Sequence, residues 1–216
     1  AAEAIWAYRL ANYGDGTATG FGEYLRDWRA GSYPNGIIAW DVAAYVVALA
    51  KLDTAAPGNG YAQDAADMAE VLYQDSFAGN PGYFDPDGAN QGADPNYNTV
   101  EYRWYNLGLS GLIRAFAATG IHTAEIPGLV TLLLDGQYDD GAFSDQYGAD
   151  TSFNDRSYQG TAYAVMALYE AVPASPTVNA AIRDAATWLA YYQDLSGGWV
   201  YGSGTHLPEV GGECTV

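Results

Sequence analysis

The stretch that decides the fold is Ala186-Thr187-Trp188-Leu189-Ala190-Tyr191-Tyr192-Gln193-Asp194-Leu195-Ser196-Gly197-Gly198-Trp199. A helical pattern runs into a glutamine, and a Gly-x-aromatic step comes after it at a fixed distance. The same frame occurs earlier, in Leu133-Leu134-Asp135-Gly136-Gln137-Tyr138-Asp139-Asp140-Gly141-Ala142-Phe143. In both, a leucine precedes the glutamine and a glycine and an aromatic succeed it at equal spacing, so the stretch is one unit of an internal repeat. Looser copies are Leu72-Tyr73-Gln74 running through to Gly82-Tyr83-Phe84, and Trp28-Arg29-Ala30-Gly31-Ser32-Tyr33.

The segment after each copy recurs as well. A polar Gly/Asn/Asp loop leads into a small-residue-rich helix that is apolar nearly all round: Trp40 to Ala50, Trp104 to Phe116, Tyr158 to Tyr169. Such helices are buried on several sides. The segments Ala62–Leu72 and Val178–Leu189 carry their charge on one stripe and read as outer helices with one wet face. Alternating inner and outer helices predict an all-α fold, an α/α toroid of concentric helical hairpins, in one domain spanning residues 1–216. About three and a half units of about 55 to 64 residues are visible, and the expectation is a truncated chain, an incomplete ring, or a ring completed by a partner chain or by self-assembly. The residues around Gly198-Trp199-Val200-Tyr201 are the one place where a short ribbon is expected. Trp199 and Phe143 are expected to be buried and equivalent in space, with the glutamine tying helix end to turn.

Composition narrows the partners. The 216 residues hold 26 acids against 8 Lys+Arg, a net charge of −18, with Lys51 as the only lysine. Such a surface repels nucleic acid and anionic membranes and favours divalent cations and salty or extracellular settings. No apolar run is long enough to span a bilayer. The single cysteine, Cys214, excludes an internal disulfide framework. The opening Ala1-Ala2-Glu3 is compatible with a mature end left by signal cleavage, which together with the acidity points to export.

Arg183 through Trp199 resembles the QW repeat of terpene cyclases: a basic residue, an aromatic-Leu pair, then Gln and Gly-x-Trp. Gln137 through Asp145, with Tyr158, Ala162-Tyr163-Ala164 and Ala167-Leu168 after it, is similar to the repeat of protein prenyltransferase β-subunits. Both families share the toroid, and the resemblance covers roughly residues 35 to 216. Their chemistry does not carry over. The acid motif of the cyclases has its nearest counterpart in Asp135–Asp140, at the wrong spacing, and the metal-binding Asp-Asp-x-x-Asp is missing. The prenyltransferases hold zinc with an Asp, a Cys and a His. Here Glu213 and Cys214 are adjacent, after His206, which departs from that pattern, and no zinc is expected.

Toroids of this kind also include glycosidases and lyases, and that resemblance implies carboxylates and aromatics at the mouth of the central funnel. At the starts of the inner helices stand Asp41, Glu101, Asp155 and Glu213, the candidate catalytic acids. Beside them stand Trp40, Tyr102, Arg103, Trp104, Arg156 and Tyr158, the candidate ligand-binding residues. Glycoside hydrolysis needs two carboxyls at a set separation, whereas an acid at a helix start also serves the exposed backbone donors there. The leading reading is therefore an exported, non-catalytic binding or structural module, with a secreted enzyme on a glycan or isoprenoid-like substrate as the alternative. Asp85, Asp87, Asn90, Asp94 and Asn96 place hard oxygen ligands in a loop with Gly88, like the first half of an EF-hand loop, and form a candidate calcium site.

Overall fold

The computed structural model describes residues 1–32, 39–74, 106–144, 156–195, 197–201, 205–206 and 214. The described chain is mostly helical: α1 (Ala2–Asn12), α2 (Ala18–Ser32), α3 (Ala39–Ala55), α4 (Tyr61–Tyr73), α5 (Asn106–Thr119), α6 (Ile126–Asp135), α7 (Tyr158–Ala171) and α8 (Pro176–Tyr192). Two two-residue antiparallel pairs complete it: β1 (Phe143–Ser144) with β2 (Arg156–Ser157), and β3 (Val200–Tyr201) with β4 (Thr205–His206). The second pair is the ribbon expected after Trp199.

Local chemistry sets the helix ends. Ser175 caps α8 by accepting from Val178 N at 3.2 Å, with Pro176 in the first turn where its missing N–H costs nothing. Ser157 caps α7 by accepting from Gly160 N at 2.9 Å. Between α3 and α4 the chain reverses through Pro57-Gly58-Asn59-Gly60, where both glycines take left-handed backbone angles (φ +86° and +84°). Short connections also join α5 to α6 and α7 to α8, so the helices come as hairpins.

α3 packs against α5 and α5 against α7, while α4, α6 and α8 cover α3, α5 and α7 respectively, and α2 packs on α4. Lying among α3, α4, α6 and α7, α5 buries every residue from Asn106 to Ile113, then Ala115 and Phe116. Small residues permit that crowding: a Cβ on Gly111 would stand 2.8 Å from the Trp40 Cα, closer than atoms pack. Trp40, near the start of α3, stacks on Tyr163 of α7 at 3.8 Å. Further along, Lys51 of α3 and Arg114 of α5 both reach Glu170 of α7. The three central helices therefore run in the same direction. The main core spans α1 to α8, and a satellite cluster of Ala142, Trp188, Leu189 and Trp199 lies beside it with Tyr138, Tyr158 and Cys214 packed on.

Candidate functional site

The two repeat turns share three hydrogen bonds. Gln137 Nε2 donates to the Gly141 carbonyl at 3.0 Å, and Gln193 Nε2 donates to the Gly197 carbonyl at 2.8 Å. Tyr138 N donates to Ala142 O and Gly141 N to Tyr138 O; at the second turn Asp194 N donates to Gly198 O and Gly197 N to Asp194 O. Gly141 and Gly197 both take positive φ, +96° and +85°. Phe143 is fully buried and Trp199 is 4% exposed. Trp199 adds a bond that phenylalanine cannot make, from its indole N–H to the Leu189 carbonyl at 2.9 Å in the last turn of α8. Each turn is thus a clasp that follows a helix, α6 or α8, and leads into the strand after it.

The sequence-predicted ligand residues that are described go to two places. Trp40 and Asp41 open α3, where Asp41 is exposed and the Trp40 ring lies against Tyr163 and 5.3 Å from the Arg114 guanidinium. Arg156 and Tyr158 belong instead to the first clasp. The Arg156 guanidinium lies 4.6 Å over the Tyr138 ring and bonds Asp140 at 2.5 Å. Tyr158 packs on Trp188 with ring centres 5.1 Å apart, and its carbonyl accepts the Cys214 thiol at 3.7 Å. Burial, with Tyr192 and Cys214 nearby, holds the Tyr158 hydroxyl above the usual tyrosine pKa. Glu101, Tyr102, Arg103, Trp104, Asp155 and Glu213 lie outside the described residues, as do Asp85, Asp87, Asn90, Asp94 and Asn96. Cys214 is half-buried within the satellite cluster, and among the described residues no three His, Cys, Asp or Glu side chains gather as metal ligands.

A cavity of about 720 Å³ opens between the C-terminal halves of α3, α5 and α7. This is the opposite end of α3 from Asp41. Its polar wall is Lys51, Thr54, Arg114, Tyr169 and Glu170, set among alanines and Val47. Glu170 is bound by Arg114 at 2.6 Å and approached by Lys51 at 3.7 Å. Arg114, with its side chain 11% exposed, threads from this ion group toward Trp40. Both cations also offset the negative ends of three helices that converge there. Sequence reasoning placed function at the helix starts and passed over this end. A lone arginine inside the apolar run Leu112-Ile113-Arg114-Ala115-Phe116 was the signal for it.

No family model, curated protein or solved structure matches the chain. The likeness to QW-repeat proteins therefore rests on the clasp residues themselves.

Proposed function

We propose that the chain is an arc of an α/α toroid, exported to the cell surface or beyond, that binds or structurally presents a partner without performing catalysis. The observation that carries this reading is the set of three hydrogen bonds that the two clasps share, beside a row of codirectional helices covered by amphipathic ones. Repeated clasped hairpins of that kind wind into concentric rings, as the resemblance to cyclase and prenyltransferase repeats implies. The fold-forming elements are kept while the families' reactive motifs are missing or malformed. In the described cavity the only lining carboxylate, Glu170, is engaged by two cations and has no second lining carboxylate to act as acid or base with it.

Incubation with a panel of oligosaccharides, read by release of reducing ends, tests the reading. No release above buffer is expected. Release that Glu101→Gln or Asp155→Asn abolishes would overturn it in favour of a glycosidase.

The same module is proposed to take calcium at Asp85, Asp87 and Asn90, with Asp94 or Asn96 contributing. Gathering carboxylates in a chain of net charge −18 is unfavourable without a cation, and a bound ion stabilises the fold by mass action. Thermal unfolding with calcium is expected to give a higher midpoint than with a chelator, and Asp87→Ala should remove the gain. A rise no larger than sodium gives at equal ionic strength would make these residues ordinary turn formers.

A further inference from the structure

A chain of net charge −18 has only 8 Lys+Arg, and two of these cations line one cavity. The cavity of about 720 Å³ between the C-terminal halves of α3, α5 and α7 takes its charged lining from one residue of each helix: Lys51, Arg114 and Glu170. Residues 56–60, 120–125 and 172–175, which leave the three helices at this end, all belong to the described chain.

Glu170 satisfies only part of what the two cations offer. Arg114 Nε donates to Glu170 Oε2 at 2.8 Å, and Nη2 stands 2.6 Å from the same oxygen. The Nη1 donors find no acceptor among the described residues, and the guanidinium otherwise meets the Trp40 ring, 5.3 Å from its centre. With the Arg114 side chain 11% exposed, donors left unmade so far from water are unfavourable until something completes them. Lys51 Nζ approaches the other carboxylate oxygen at 3.7 Å, an ion pair too long for a hydrogen bond. Two cations with open donors therefore flank a single carboxylate.

We propose that this cavity binds a small organic acid, whose one carboxylate bridges Lys51 Nζ and Arg114 Nη1 and whose apolar body lies along the alanine wall. A guanidinium suits the planar carboxylate, and the cavity's volume falls in the range of small-molecule sites, about 300–1,000 Å³. Val47, Ala50, Ala117, Ala118 and Ala171 leave room for the body, and the Tyr169 ring, 78% exposed, offers it an aromatic face. Lys51, Arg114 and Glu170 sum to one positive charge, so a single carboxylate leaves the group neutral. A phosphate ester, at about −1.5 to −2, overshoots beside the negative ends of three helices. A cationic ligand would have to compete with Arg114 for the one carboxylate in the lining. Repulsion from the rest of the acidic surface is screened beyond about 8 Å at physiological salt. The site gives the proposed binding module a ligand class, and it rests on that reading only in that the acid is held and not consumed. The clasps and the calcium loop do not enter it.

Phenylacetate, phenylacetamide and phenyl phosphate, titrated separately into isotope-labelled protein, are the probes. Nuclear magnetic resonance follows the Arg114 side-chain Nε–H and the backbone amides of Ala117, Ala118 and Ala171. Phenylacetate is expected to shift these signals to saturation, the amide to leave them in place, and phenyl phosphate to bind more weakly. Lys51→Met should weaken phenylacetate about fivefold, the factor that loss of a strong exposed ion pair gives. Its circular dichroism should be unchanged, since Lys51 is 69% exposed. Glu170→Gln should tighten binding by about the same factor, because both cations then lose their competing anion; damage to the fold would not produce a gain. Shifts that never saturate, or that the amide reproduces, would overturn the site. So would a Lys51→Met protein that binds like the wild type, or a Glu170→Gln protein that binds more weakly. Phenyl phosphate binding more tightly than phenylacetate would overturn the carboxylate assignment. Each of these failures leaves the module reading standing, whereas conversion of bound phenylacetate, seen as new product signals, would keep the site and overturn the non-catalytic reading.

Discussion

Trp199→Ala is expected to cost about 3 to 4 kcal/mol of folding free energy. Truncating a buried tryptophan to alanine costs about 3 to 5 kcal/mol through lost transfer energy and the cavity left behind. Trp199 is 4% exposed, but its cluster of Ala142, Trp188 and Leu189 is small and edged by Tyr138 and Tyr158, which can partly collapse into the gap. That places the cost toward the lower part of the range. The indole N–H bond to Leu189 can be separated from the packing by Trp199→Phe, which keeps a ring and removes the donor. That variant should lose about 1 to 2 kcal/mol, a net hydrogen bond plus a small void. Urea unfolding of the three proteins, with slopes compared to confirm one transition, gives both numbers. A loss below about 1 kcal/mol for Trp199→Ala would refute the clasp as a structural element. A Phe variant as damaged as the Ala variant would show that the hydrogen bond, and not the packing, carries the effect.

Gly141→Ala should cost more than about 2 kcal/mol, because it forces a side chain into a left-handed backbone and onto the Asp184 carbonyl. Gly197→Ala carries the backbone strain without that collision and should cost about 1 kcal/mol; equal losses in urea unfolding would mean that the first clasp is not seated on α8. Glu70 accepts from Gln74 at 2.6 Å and from His122 at 2.6 Å, and these bonds, Gln74's first, hold its carboxyl below the usual glutamate pKa. A depressed pKa contributes stability that is present above the unfolded-state value and is lost as pH falls through the folded one. The wild type's advantage over Glu70→Gln should therefore be full near neutrality and fade across the acidic carboxylate range; an advantage independent of pH would contradict this.

Much of the helical layout was legible because burial imposes a period. The runs from Trp40, Trp104 and Tyr158 announced α3, α5 and α7, and the charge stripes of Ala62–Leu72 and Val178–Leu189 announced α4 and α8. α1, α2 and α6 went unassigned. α6 is only ten residues long with Pro127 and Gly128 in its first turn, and α1 buries only Trp6, so neither announces itself as a helix. The clasp was readable from spacing alone, since Gln to Gly is one fixed reach of a side-chain amide. Its seat on α8 was not, because backbone carbonyls such as Ala181 O leave no mark on a sequence. The ion group of Lys51, Arg114 and Glu170 joins three helices far apart in the chain and has no local pattern. Likewise no local pattern shows that the His122 ring stacks 3.6 Å from Tyr73 and bonds Glu70. Of the predicted site, Trp40 was brought near Arg114, whereas Arg156 and Tyr158 serve the clasp, because the strand β2 and the cap of α7 turn them toward Tyr138 and Trp188.

The most direct test of the repeated clasp is backbone amide hydrogen exchange, read residue by residue by nuclear magnetic resonance. Tyr138 and Gly141 in the first turn, and Asp194 and Gly197 in the second, lie outside helices yet donate to turn carbonyls in matching pairs. All four amides should be protected well beyond open-chain rates. Gln137→Ala should lower protection in the first turn only, and Gln193→Ala in the second only. Exchange at open-chain rates in either turn, or protection indifferent to its own glutamine, would contradict the account.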